Sequence, residues 1–379
     1  MKKIILAVLM IILFCSDYSF AQTDINDYVD KQLESLNIDS IQKYLDESEV
    51  LGDLHLKTFL KEVITGDKNL LDIFDKESIK FLFFKEVKTS MKICAMVLVL
   101  SLLSSILKSL ENSFSSGTIT QITNYIIFIT MISFILVAFK DVLEIADSSI
   151  NSIIGLVKVI VPVLITFLAL MGLPITSSVL NPIFIGGITF INILFKKFLF
   201  VSISLAFSIL VVNNLSKSIK LSKLASFIKN INFLCIGAMF TVYLGLVSVQ
   251  GLYVTSLDSF TMKTTKFAVG SFIPVVGGFV SDSLDIILSS SQLIKGVFGS
   301  IGLIILVAIS ITPVIKIFSI ILVYKICSIV VEPVGEERIS TFLNEVANLM
   351  IVILSCVIAI TIMFFVTVGI LTSMGVISS

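Results

Sequence analysis

The feature that most constrains this chain is a series of long apolar runs that contain almost no charge. The longest, Leu349–Thr372, has no charged residue and exceeds the ~20 residues with which a helix crosses a bilayer. Backbone polar groups in lipid must be satisfied internally, so unbroken runs predict helices, whereas barrel strands alternate. Several runs are short, so the sequence predicts an all-α, polytopic helical membrane protein with seven to nine spans. The runs are Ile93–Leu107, Ile122–Phe139, Val159–Leu173, Ile183–Phe195, Phe198–Val212, Ile231–Val249, Val297–Ile311, Val314–Val331 and Leu349–Thr372.

Composition supports lipid as the main solvent. The chain is 56% hydrophobic and 14% charged, where soluble domains are about 45–50% apolar and about 25% charged. Its 27 basic and 27 acidic residues cancel. A free-standing nucleic-acid-binding protein carries a basic excess, and disorder requires low hydrophobicity, so both classes are excluded.

The charges divide the chain near residue 90. Residues 22–90 hold 15 acidic and 9 basic residues, whereas residues 91–379 hold 11 acidic and 16 basic ones in a much longer stretch. We therefore predict an acidic extracytoplasmic segment over 22–90 and a membrane domain over 91–379.

Residues 1–21 resemble a secretory signal peptide. Lys2 and Lys3 precede the short apolar run Ile4–Phe14, and cleavage is predicted between Ala21 and Gln22. The alternatives are lipidation at Cys15, which bulky Phe14 disfavours, and an uncleaved anchor. All three place residues 22–90 outside the cytoplasm.

The acidic segment shows helical spacing and predicts three or four short helices. One apolar face consists of Leu56, Phe59, Leu60, Val63 and Ile64, and Gly66 follows as a stop. The acidic surface is either simply solvated or a docking face for a partner.

Loop charges predict an orientation through the positive-inside rule. Lys217, Lys220, Lys223 and Lys229 lie inside, whereas 140–158 and 332–347, which are rich in acids, lie outside. Lys196 and Lys197 violate the rule, which favours a re-entrant hairpin there.

A weak internal repeat accompanies this pattern. A shift of 112 residues aligns Pro162-Val163 with Pro274-Val275 and Gly187 with Gly299. The predicted units are about 149–250 and 261–372. Their amphipathic stretches have opposite charge, which favours an inverted repeat like those of secondary transporters.

Enzyme chemistry has no visible support, and we predict no catalytic residues, metal or cofactor. His55 is the only histidine, and no GxxxxGK[ST] motif occurs. Cys94, Cys235, Cys327 and Cys356 lie in separate apolar runs without CxxC spacing, which predicts buried thiols.

A candidate gate or pore-lining segment follows residue 253. Pro274, Gly277 and Gly278 break an apolar run, and such breaks are tolerated at membrane depth only where protein or water satisfies the backbone. A polar helical face follows, formed by Asp282, Asp285, Ser289 and Gln292. The alternative is an interfacial helix with one wet face.

Lys325 is a candidate intramembrane charge. It lies within the run Val314–Val331. The side chain is either a buried counter-ion or snorkels to the interface.

The same region carries a resemblance. Val247–Gly251, Lys263–Phe267, Gly270, Phe272–Val275 and Gly278 resemble the signature of the stage III sporulation protein AE family. Gly66–Lys68, Leu224-Ala225 with Asn230-Ile231, and Pro313–Lys316 with Tyr324-Lys325 are similar to it too. The resemblance covers nearly the whole chain, and Lys196-Lys197 departs from it.

The resemblance implies a role in endospore-forming bacteria. It implies a mother-cell membrane protein of a multi-protein channel to the forespore, needed for late forespore development. It also implies partner subunits, including a cytoplasmic ATPase and ring-forming membrane proteins. We therefore expect a non-enzymatic subunit of that channel. The most specific form of this expectation is that the subunit is the channel's permease core. The alternatives are a self-contained secondary transporter of a small solute and a membrane scaffold for the ring-forming subunits.

Overall fold

A computed structural model describes residues 76–111, 117–215, 220–272, 277–334 and 337–374, with a few positions before residue 76. Every regular element among these residues is helical, which confirms the all-α class for this part of the chain. The predicted signal peptide, the Ala21–Gln22 cleavage site and most of the acidic segment lie outside the described residues.

Seven α-helices are present among the described residues from 76 to 374. They are α1 (Lys76–Glu111), α2 (Gly117–Leu170), α3 (Pro174–Ile193), α4 (Phe200–Leu215), α5 (Ser222–Phe272), α6 (Gly277–Val331) and α7 (Glu337–Ser373). A π-helical turn, Leu194–Leu199, joins α3 to α4 without a break, and a short 3-10 turn, Glu332–Val334, follows α6.

Six helical stretches in the described residues are long and apolar enough to cross a membrane. They are Lys80–Ile106, Tyr125–Leu170, Pro174–Leu215, Ser222–Val249, Ser290–Val331 and Glu337–Ser373. The predicted seven to nine spans are therefore not confirmed. Three of the six stretches each contain two of the apolar runs that the sequence separates.

The polar interval 140–158 is helical instead of forming a loop. It lies within α2, whose 54 residues make a helix about 80 Å long at a 1.5 Å rise per residue. Lys140 pairs with Glu144 at 3.2 Å, and Asn151 donates to Asp147 at 3.0 Å. Both pairs have i,i+4 spacing and support the helix locally. The charges of this interval do not end the helix, and neither do Gly155 within it or Pro162 after it.

Lys196 and Lys197 likewise lie inside a continuous helical rod, so no hairpin forms between Ile183 and Val212. The π-helical turn buries Phe195 and Leu199 and lets Lys196 contact Asp147 of α2 at 3.0 Å. The apparent violation of the positive-inside rule disappears, because these lysines are not in a loop.

The turn between α2 and α3 has a local sequence cause. Gly172 adopts a φ of 76°, a conformation that costs glycine little. Leu173 N–H donates to the Leu168 carbonyl at 3.0 Å, as in a Schellman motif. Pro174 then begins α3 where its missing N–H is harmless.

α7 lies at the centre of the bundle. Its buried residues form a broad face, Ile358, Ile362 and Phe365 lie exposed along the remaining stripe, and it packs against α2, α4, α5 and α6. An apolar helix that packs against four others in this way is expected to be largely buried.

α6 and α7 form an antiparallel hairpin that defines the two ends of the bundle. Ser328 and Ser340 exchange hydroxyl-to-carbonyl hydrogen bonds of 2.8 Å beside the connection. Lys295 contacts the carbonyl of Met374 at the opposite end. We call these the Ser340 end and the Met374 end.

α5 and α7 begin at the same end. Asn214 near the end of α4 and Lys229 near the start of α5 both lie beside Glu345 of α7, so all three helices have these termini at the Ser340 end. The prediction that the basic stretch and 332–347 lie on opposite sides is therefore wrong. Charge sign misled it because both stretches contribute to one shared cluster. The repeat itself is not confirmed.

This arrangement predicts a topology that reporter fusions can test. Fusions after Lys223 and after Glu337 should report the same compartment, because both sites lie at the Ser340 end. A fusion after Gly172 should report the other compartment. Opposite compartments for the Lys223 and Glu337 fusions would contradict the bundle.

Candidate functional site

A lysine that the sequence marked as a candidate intramembrane charge has two polar partners. Lys325 of α6 donates to the carboxamide oxygens of Asn344 and Asn348 on α7, at 2.6 and 2.7 Å. The two asparagines lie one turn apart on the same face of α7, so both can accept hydrogen bonds from the same ammonium group. Lys325 is thus held by neutral oxygens, which leaves its positive charge uncompensated by these partners.

Glu345 of α7 lies next to this group and is half-buried. The carboxamide of Asn214 on α4 lies beside its carboxyl group, and Lys229 of α5 acts on it electrostatically. Within the described part of the chain, its Oε2 atom is buried and has no hydrogen-bond partner. An intramembrane carboxylate is expensive, so such a group usually marks a solute or ion path.

Lys229 and Asn232 lie one turn apart on the inner face of α5. Asn232 is 0% exposed, and neither its Nδ2 nor its Oδ1 atom has a hydrogen-bond partner among the described residues. Leaving a buried polar group unpaired costs about 1–3 kcal/mol of stability. The Asn232 side chain could therefore bind a ligand inside the bundle with both its donor and its acceptor.

Four helices therefore bring one set of polar side chains together at the Ser340 end. We call this set the polar cluster. It consists of Asn214, Lys229, Asn232, Lys325, Asn344, Glu345 and Asn348.

Local structure fixes how α4 and α5 enter the cluster. Asn213 Oδ1 accepts a hydrogen bond from the Leu221 backbone N–H at 2.6 Å, which joins the end of α4 to the approach to α5. Asn214 donates to the Leu210 carbonyl at 2.9 Å and is thereby held against its own helix. The basic approach to α5 is thus anchored beside the cluster.

The predicted gate is only partly visible. Pro274 lies outside the described residues. Gly277, Gly278, Asp282, Asp285 and Ser289 lie in the helical backbone of α6, and their side chains also lie outside the described residues. Gln292 is half-buried. A gating or pore-lining role for this segment stays a prediction.

The Met374 end contains a lysine that sequence reasoning missed. Lys295 is 0% exposed and donates to the Met374 carbonyl, three residues beyond Gln292 along α6. Its position in the first apolar turns of the span Ser290–Val331 was the available signal.

Sequence reasoning also missed most of the polar cluster. Lys229 and Glu345 were interpreted as loop charges on opposite sides, and Asn214 and Asn232 were not singled out. Charged and amide residues one or two turns inside apolar helices were the available signal. Their grouping required knowing which helix ends coincide.

The cysteines agree in part with the prediction of buried thiols. Cys94, Cys235, Cys327 and Cys356 are free; Cys327 and Cys356 are buried, whereas Cys94 and Cys235 are half-buried. Cys327 Sγ lies 3.8 Å from the Cys94 carbonyl oxygen, so it packs against α1 as an apolar thiol.

The comparisons with known proteins converge on one family. The chain matches the family described as Stage III sporulation protein AE over residues 54–375. It is 27% identical to "Stage III sporulation protein AE" of Bacillus subtilis (strain 168) over 322 residues, which cover 84% of this chain and 80% of that protein. No solved structure matches. The match spans α1 to α7, together with the polar cluster they enclose, and the chain belongs to the stage III sporulation protein AE family.

Proposed function

We propose that this chain is a non-enzymatic multispan subunit of the channel between mother cell and forespore. The family match over residues 54–375 supports the sporulation role. The six apolar helical stretches support a place in the membrane. The mother-cell membrane around the forespore is the proposed location.

The proposed orientation places the Ser340 end in the cytoplasm and residues 22–90 in the intermembrane space. Lys220 and Lys223 precede or begin α5 at that end, as the positive-inside rule requires. The predicted signal peptide agrees with this direction, because α1 runs towards the Ser340 end.

Within the channel, we assign this subunit the role of permease core. The polar cluster is the single observation that carries this assignment. A bundle that served only as an anchor would gain nothing from the carboxylate oxygen Glu345 Oε2 and the amide of Asn232, both without a partner among the described residues, since each lowers stability. A solute path uses such groups to replace the hydration of what passes.

The proposed partners are the other channel subunits, including a cytoplasmic ATPase and ring-forming membrane proteins. The chain has no P-loop motif, so any nucleotide-driven step through that motif belongs to another subunit. A cytoplasmic polar cluster is suitably placed to receive a solute beside such a subunit.

A second candidate is a self-contained secondary transporter. The half-buried Glu345 carboxylate favours it, because intramembrane acids serve as coupling sites in such proteins. Transport by the purified chain in vesicles, driven by an ion gradient and without other subunits, would favour this candidate over the channel subunit.

Deletion of the gene tests the sporulation role. We expect normal vegetative growth, arrest of sporulation after engulfment begins, and loss of heat-resistant spores. A copy of the wild-type gene at another locus is the control and should restore spores. Normal numbers of heat-resistant spores from the deletion strain would refute the assignment.

A further inference from the structure

We infer that the polar cluster binds a small zwitterionic solute, with Lys229 facing the solute's anionic group and Glu345 its cationic group. This inference rests on the proposed permease function and adds the class of substrate.

The two charges are close but do not neutralise each other by contact. Lys229 lies within electrostatic range of Glu345, yet the pair is absent from the ion pairs within 4.0 Å, which among the described residues are Lys140–Glu144 and Lys196–Asp147. Glu345 Oε2 has no hydrogen-bond partner in the same part of the chain. Lys229 and Glu345 thus lie within electrostatic range of each other without forming an ion pair, and one carboxylate oxygen lacks a hydrogen-bond partner among the described residues.

The neighbouring amides extend the same complementarity. Asn232 offers both a donor and an acceptor, is fully buried, and lies one turn, about 4.5 Å, along α5 from Lys229. Asn214 lies beside Glu345 and already donates to the Leu210 carbonyl. A ligand with paired ammonium and carboxylate groups would supply partners for the Asn232 amide and for Glu345 Oε2.

Solutes with a single charge fit less well. An anion would meet Lys229 but also Glu345, and a cation would meet Glu345 but also Lys229. Lys325 adds a second positive charge within electrostatic range of Lys229, so a simple cation fits least well, although the Lys325 ammonium group is already held by Asn344 and Asn348. The full burial of Asn232 favours a small ligand.

The test uses the full chain, purified in lipid nanodiscs, and three matched probes in isothermal titration calorimetry. Glycine carries both charges, acetate carries only the anionic group, and methylamine carries only the cationic group. The variants are Lys229→Met and Glu345→Gln. Lys223→Met is the control, because Lys223 is an exposed lysine on the same helix.

We expect glycine to bind the wild-type chain and the Lys223→Met variant with the same affinity. Each cluster variant should weaken glycine binding by about tenfold or more, equivalent to about 1.4 kcal/mol. Acetate and methylamine should bind at least about tenfold more weakly than glycine, on the same scale.

Three results would overturn the inference. They are no glycine binding to the wild-type chain, unchanged binding in both cluster variants, and acetate or methylamine binding as tightly as glycine. None of these depends on sporulation. If glycine fails to bind while deletion still abolishes spores, only the substrate class falls and the channel role stands.

Discussion

Replacing Gly299 with alanine is expected to lower the unfolding free energy of the membrane domain by about 1–3 kcal/mol. A Cβ atom at this position of α6 would lie 2.7 Å from Thr372 Cγ2 and 2.8 Å from Thr372 Cβ on α7. Side-chain rotation cannot relieve the second contact, because Cβ is fixed to the backbone. The Thr372 hydroxyl also donates to the Val368 carbonyl at 2.7 Å, which holds its rotamer. The two helices must therefore separate.

Gly296 provides the matched control, one turn earlier on the same helix. A Cβ there meets nothing within 4 Å, so Gly296→Ala should be neutral or stabilise the helix by up to about 1 kcal/mol. The second substitution Thr372→Gly should restore part of the stability that Gly299→Ala loses. Thermal unfolding of the purified chain measures all three. Equal stability of Gly299→Ala and Gly296→Ala would show that α6 and α7 do not pack as closely as described here.

The helical class and the membrane environment could be predicted because they follow from composition and run length. The uncharged run Leu349–Thr372 predicts a membrane span from sequence alone, and it forms most of α7, which packs against four other helices. The number of spans could not be predicted in the same way. Three charged residues interrupt the apolar sequence of α2 but do not end the helix. Lys140 and Glu144 pair with each other at i,i+4 spacing, and Asp147 pairs with Lys196 in the turn between α3 and α4.

The polar cluster could not be predicted because it depends on which helix ends coincide. Lys229 and Glu345 are more than 100 residues apart, and the positive-inside rule assigned them to opposite sides. That rule treats each stretch as an independent loop. Here a basic and an acidic stretch lie at one end, and the rule counts Lys and Arg, so the acids of 332–347 did not mark the opposite side. Lys325 was identified because it lies deep within an apolar run.

The sequence predicted the protein's family more successfully than it predicted the residues of the candidate site. The motifs around Phe272–Val275 already indicated the sporulation family, and the match over residues 54–375 confirms it. The segment from Pro274 to Gln292 was the natural candidate for chemistry, because it combines helix breakers with two carboxylates. The described side chains place the richest polar grouping at the other end of α6. Substitutions at the two ends of α6 should therefore be tested separately.

The proposed permease role requires the polar cluster to bind a solute that passes through the bundle. A scaffold for ring-forming subunits would not require this. Glu345→Gln is the most informative change, because it removes a half-buried charge with an unpaired oxygen while keeping the side chain's shape. The amount of protein in the membrane must be measured with it, because the Asn214 carboxamide and Lys229 act on this carboxyl group and removing a partner can cost stability. A loss of function at normal protein level then does not come from unfolding.

The most direct measurement is the yield of heat-resistant spores from strains that carry Glu345→Gln or Lys229→Met, scored together with the amount of the protein in the membrane. Lys197→Met is the control, because that lysine is exposed and lies outside the cluster. We expect both cluster variants to weaken solute binding by about tenfold, equivalent to about 1.4 kcal/mol, and to lower spore yield clearly below that of the wild type at normal protein level. The Lys197→Met strain should sporulate normally. Wild-type spore yield from both cluster variants would contradict the permease role and leave this subunit as a scaffold.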